Sequence, residues 1–167
     1  MSMNSTSPYE TRSLSAVLAA ELLEAGHDLR VRVSGNSMRP FLKDGDVVTI
    51  RKTPLAALKK GDILFCRCDN DVLILHRLLK TQNDGSAPDG MLFYIKGDAL
   101  DRMDSPVAAG QCLGKVVTAE RRAPRGVVLT DMLSSRSVIT NCLSARYFRF
   151  RVVMVGCLAA LRRSLVG

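Results

Sequence analysis

The sequence has no long hydrophobic run. Its longest wholly apolar stretch, Val152 to Leu161, is about half of the ~20 residues that a membrane-spanning helix needs. A cleavable export signal is also missing: residues 1–12 are polar, and the apolar run after them is interrupted by Glu21 and Glu24. Both absences predict a cytoplasmic chain, and an odd total of five cysteines agrees with reduced thiols there. Cys66 and Cys68 form a C-x-C with no second pair at zinc spacing. They therefore read as strand residues, and neither a metal nor another cofactor is expected. Histidine is scarce, with only His27 and His76. No internal repeat is found. Only one short helix precedes the strand-rich part, so there is no helix-turn-helix, which argues against nucleic acid as a partner.

What remains is a globular composition. At 167 residues, 47% hydrophobic and 24% charged, the chain has enough apolar surface for one domain with a real core. The net charge of +8 is unevenly spread. Residues 1–119 carry 15 Lys and Arg against 14 Asp and Glu, whereas residues 120–167 carry 9 Arg against Glu120 and Asp131. The basic end predicts an anionic partner for that end: a membrane surface, nucleic acid or an acidic protein face. Leu133, Ile139, Leu143, Phe150, Met154, Cys157 and Leu161 fit one or two amphipathic helices, with arginines between them. Two readings stand: a helix docked on the domain, or a basic helix at the inner, anionic face of a membrane.

In chain order, residues 13–25 predict a helix, with Ser13 as its cap, Leu14, Val17, Leu18 and Leu22 at helical spacing, and Gly26 at its end. From Leu29 onward short strands alternate with turns. Leu29 to Val33, Val47 to Ile50, Ile63 to Cys68, Val72 to Leu79, Met91 to Ile95, Cys112 to Ala119 and Val127 to Thr130 are the expected strands. The third and fourth form a hairpin about Asp69-Asn70-Asp71. Residues 81–90 read as a polar loop, and 96–110 as another. The fold class is mainly β, a compact coiled sheet with an N-terminal helix and C-terminal amphipathic helices. The expected division is residues 1–28, 29–130 and 131–167.

Three stretches carry residues suited to chemistry. In V-S-G-N-S-M-R-P-F, Pro40 steers Arg39 away from helical angles and predicts extended backbone around Ser37, while Gly35 leaves room for close approach. A serine on such a bend suits a nucleophile, although an ordinary turn serine fits equally. His76 lies in the apolar strand L-I-L-H-R-L-L, on the period-two face of Val72, Ile74 and Leu78. Asp98, Asp101 and Asp104 follow the strand ending at Ile95, where one carboxylate can reach an imidazole. Serine, neutral histidine and an orienting carboxylate together are the logic of acyl transfer.

Taken in order, S-G-N-S-M-R-P-F-L-x-x-G-D, G-D-I-L-F, L-H-R-L and K-G-D-A-x-D-x-x-D-S resemble the signal peptidase I superfamily, which also holds the self-cleaving repressors of the SOS response. The resemblance covers roughly residues 30–120. It implies Ser37 as nucleophile and His76 at the general-base position, as in the branch that uses histidine where bacterial leader peptidases use lysine. It implies Asp104 as the assisting acid, with Asp98 second or bracing the loop. Three departures accompany it. Gly35 stands where the family often has an oxyanion-binding serine, so oxyanion support falls to Ser34, Asn36 and backbone N–H groups. Phe41 replaces the usual threonine, and the N-terminal anchor of leader peptidases is missing.

These readings converge on a serine endopeptidase acting on an extended peptide or precursor protein, bound by strand addition, with small side chains near the cut. The alternatives are a peptide-binding module of the same fold with little turnover, and an interaction protein acting through its basic end.

Overall fold

A proline opens the helix and a glycine closes it. The computed structural model describes residues 8–85, 90–123 and 126–131. Helix α1 spans Pro8–Glu24, so it starts earlier than expected and Ser13 lies inside it instead of capping it. Proline suits a first helical turn, where its missing N–H would have had no partner. At the other end the Gly26 N–H bonds to Leu23 O and the His27 N–H to Leu22 O, with Gly26 at φ +84°. That pairing is a Schellman cap, which needs the left-handed backbone that glycine supplies at least cost. Ala16 and Leu23 are buried beneath the helix.

The other described residues make eight strands: β1 Leu29–Arg32, β2 Val47–Arg51, β3 Ile63–Arg67, β4 Leu73–Asn83, β5 Met91–Lys96, β6 Val107–Ala108, β7 Cys112–Ala123 and β8 Gly126–Asp131. They form one sheet in the order β1-β2-β7-β3-β4-β5-β6, with β8 paired to β7. Every pairing is antiparallel, and the sheet curls into a half-barrel. The mainly β, coiled architecture is as the turn spacing predicts. The helices expected within residues 132–167 lie outside the described residues. No helix among the described residues is long and apolar enough to cross a membrane.

Strand β3 shows why the sheet has two apolar sides. Its first four residues, I-L-F-C, are all buried. Ile63 and Phe65 enter a cluster with Leu23, Met38, Leu42 and Val48, whereas Leu64 and Cys66 enter a second with Leu78, Phe93 and Ile95. An alternating strand with both faces covered gives a continuous apolar run in the sequence.

Two expected loops contain strand. Thr81, Gln82 and Asn83 continue β4 and pair with Phe93, Leu92 and Met91. All three are exposed, so they carry no apolar alternation, and the backbone ladder alone makes them strand. Within residues 96–110, Val107 and Ala108 pair with Phe93 and Leu92.

Gly114 sits where β7 passes between β2 and β3. A Cβ there would lie 2.6 Å from Arg51 O and 3.2 Å from the Ile50 side chain. Gly114→Ala should therefore lower unfolding stability by about 1–3 kcal/mol, the usual cost of overpacking. Urea denaturation measures it, and an unchanged midpoint would show that the strands part freely.

Candidate active site

The loop bearing Ser37 is pinched at its neck. The Val33 N–H donates to Asp46 O at 2.8 Å and the Gly45 N–H to Val33 O at 2.9 Å, which holds residues 34–44 as a closed excursion between β1 and β2. Within it the Arg39 N–H bonds to Asn36 O at 3.1 Å. Ser37 thus sits in a turn, not in extended backbone. The loop turns before the proline, and Arg39–Pro40 is a cis peptide. Gly35 adopts φ +93° and its N–H donates to Asp44 Oδ1 at 2.8 Å.

Asp46 fastens the loop to β7, the strand that pairs with β2. Its carboxylate accepts the Lys43 N–H at 2.9 Å and the Arg121 guanidinium at 2.6 and 3.0 Å. Arg121 also donates to Phe41 O at 2.8 Å. Burial pushes the Asp46 carboxyl up, but the Arg121 hydrogen bonds and charge, with the Lys43 N–H, hold it below the usual carboxylate range on balance.

His76 lies on β4 opposite Leu64 of β3 and is buried. Its Nδ1 is 2.5 Å from Asp104 Oδ2. Asp104 is held there because its backbone N–H reaches Ile95 O at 3.2 Å. With Nδ1–H donating to the carboxylate, a neutral ring keeps Nε2 as its acceptor. Ser37 and His76 both line a cleft of about 390 Å³, walled by Val31 to Gly35 on one side and Leu73 to His76 on the other. Ser15 and Ala19 of α1 complete it.

Asp98 has a different partner. The next strand residue, Arg77, is wholly buried and makes two bonds to Asp98, Nε–Oδ1 at 2.7 Å and Nη2–Oδ2 at 2.5 Å. A third runs from Nη1 to Gly61 O at 2.8 Å, and the guanidinium lies 4.8 Å from the centre of the Phe41 ring. Beside it, the Ala99 N–H donates to Ser37 O at 2.7 Å. Gly97 makes this approach feasible, since a Cβ on it would stand 2.8 Å from Ser37 O.

The expected residues thus divide into groups. Ser37, His76, Ser34 and Gly35 share the cleft. Asp104 stands behind His76, and Asp98 joins a structural ion pair. Asn36 is exposed and contributes its carbonyl to the serine turn. His27 is exposed at the end of α1 and does not line the cleft. Among the described residues no group of three or more potential ligands is arranged to hold a metal ion. Sequence reasoning missed Arg77 and Arg121. For Arg77 the signal was available: a charge within L-I-L-H-R-L-L must find a buried partner.

Two outcomes test these braces. Arg77→Met should cost about 3–5 kcal/mol by leaving the Asp98 charge buried alone, and Arg77→Met with Asp98→Asn should recover part of that loss in the same urea titration. The depressed Asp46 carboxyl stabilises the fold above its unfolded pKa, near ~4. That contribution fades as pH falls through the lower folded value. Asp46→Asn should hence be less stable than wild type at neutral pH and approach it in acid; parallel curves at all pH values would contradict the linkage.

Comparison with known proteins adds one finding to this geometry. Residues 5–87 match the family described as Peptidase S24-like, a span that holds the pinched serine loop and His76. No curated protein matches the chain. That match and the ordered motifs around the cleft support the resemblance to the signal-peptidase-like and SOS-repressor-like superfamily of serine peptidases.

Proposed function

We propose that the chain is a serine endopeptidase of signal-peptidase-like type that cleaves an extended peptide or precursor protein. The observation that carries this reading is one cleft lined by Ser37 and His76, with Asp104 on the far nitrogen of the imidazole. His76 Nε2 takes the Ser37 hydroxyl proton as Oγ attacks the scissile carbonyl, and returns it to the leaving amine. Asp104 keeps the ring in the tautomer that can do this and stabilises the imidazolium. The Gly35 N–H is committed to Asp44, so the tetrahedral oxyanion relies on backbone N–H groups at Ser37 itself, helped by the nearby Ser34 hydroxyl.

Strand addition is the binding mode. β1 is a terminal strand of the sheet, and β4 begins pairing with β5 only at Arg77. Residues 31–33 and 73–76 face the same cleft, so an extended peptide can bond along either edge. Small residues on the α1 wall, Ser15 and Ala19, limit the side chains admitted near the cut.

An active-site phosphonate probe read by intact mass tests the assignment. Wild type should label on Ser37, Ser37→Ala should not label, and His76→Ala should label about 10²–10⁴-fold more slowly. Anionic vesicles are included in parallel. Wild type that labels no faster than His76→Ala across pH would sink the peptidase reading and leave the cleft as a peptide-binding groove.

A further inference from the structure

Three cysteines that the peptidase reading does not use meet in one apolar cluster. Cys66 on β3 and Cys112 on β7 are register partners across the two strands. Both are buried in the cluster that holds Leu64, Leu78 and Ile95, and Cys68 packs at its margin. All three are free thiols.

A break in the ladder brings the first two together. Leu64 pairs with Lys115 and Phe65 with Gly114, so an even register would set Cys66 against Leu113. The irregularity after Phe65 skips Leu113, which turns into the other core cluster, and sets Cys66 against Cys112. Residues opposed in an antiparallel pair have Cα atoms about 4.5–5.5 Å apart. That interval lies within the ~4.4–6.8 Å that a disulfide spans. Because both side chains enter one cluster, they leave the sheet on the same face.

The two thiols are chemically unequal. The hydrogen bond between them and burial push Cys66 up, with the Asp104 carboxylate adding to it. The same hydrogen bond and the Lys52 ammonium hold Cys112 below its ordinary value against the effect of burial. These directions favour Cys112 as the attacking thiol and Cys66 as the one that follows.

We propose that Cys66 and Cys112 are a cross-strand dithiol that a small peroxide oxidises to an intramolecular disulfide. The Cys112 thiolate attacks one peroxide oxygen, the O–O bond breaks, and hydroxide leaves a sulfenic acid on Cys112. Cys66 then attacks that sulfur, the S–O bond breaks, and a second hydroxide leaves. The two thiol protons complete two waters, so two sulfurs are oxidised and one peroxide is reduced. Cys68, just past the end of β3 and half-buried, is the competing partner. The inference is independent of any role for Ser37.

The test exposes the full chain to hydrogen peroxide, alkylates it in denaturant, and maps disulfides by digestion and mass spectrometry. The same is done on Cys68→Ser with Cys142→Ser and Cys157→Ser. The expected result is a Cys66–Cys112 peptide pair in wild type. In the triple variant two hydrogens are lost per chain, alkylatable thiols fall from two to none, and dithiothreitol restores both. The urea midpoint should rise on oxidation. Should the variant fail to fold, the wild-type map decides. Thiols at Cys66 and Cys112 that stay alkylatable, or a disulfide through Cys68 or between chains, would overturn the proposal.

Discussion

The Arg77 guanidinium is buried away from water, and its charge is met by the Asp98 carboxylate, the Gly61 carbonyl and the face of Phe41. A buried ion pair adds little net stability over apolar packing, yet removing one partner is costly, so geometry and completeness matter more than strength. Each partner comes from a different motif. Phe41 belongs to the serine loop, Gly61 to the turn before β3, and Asp98 to the loop after β5. The side chain on β4 therefore sets the distance between segments far apart in the chain. The Ala99–Ser37 hydrogen bond depends on that spacing, because Ala99 follows Asp98 directly.

Alternation along β4 explains why one loop supplies two carboxylates. His76 and Arg77 are neighbours, so their side chains leave the strand on opposite faces. A cation on one face and an imidazole on the other each require an acid. Asp98 meets the first and Asp104, six positions later, the second. The spacing of the aspartates in K-G-D-A-L-D-R-M-D follows from that division of tasks. Asp98 is engaged by Arg77 in a bidentate pair, and Asp104 is the carboxylate on His76.

Much of this was legible in the sequence, for identifiable reasons. Buried strands such as Ile63 to Cys66 announce themselves by unbroken apolar runs, and Gly26 marks the helix end by its freedom at positive φ. Thr81 to Asn83 were illegible as strand because both of their faces meet water, leaving no pattern to read. The turn at Ser37 was misjudged since a local rule about the residue before proline says nothing of Asn36 and Ser37. The candidate residues were found by type and order, and the resemblance ranked Asp104 ahead of Asp98 without showing what either would meet. The partner of Asp98, Arg77, is a contact 21 residues away in sequence. The Asp46–Arg121 tie, spanning 75 residues, left no local trace either.

The sheet order also bears on when this site can come into being. β1 and β2 flank the serine, and β3 to β6 carry the histidine and both aspartates. In the ladder these two groups touch only through β7, which pairs with β2 on one side and β3 on the other. Ser37, His76 and Asp104 all precede β7 in the chain. During synthesis, then, every chemically relevant side chain leaves the ribosome before the strand that joins their two halves. The complete sheet around the cleft is withheld until residue 112 and beyond has been made, so a truncated or still-growing chain carries the residues without the joined scaffold that holds them together.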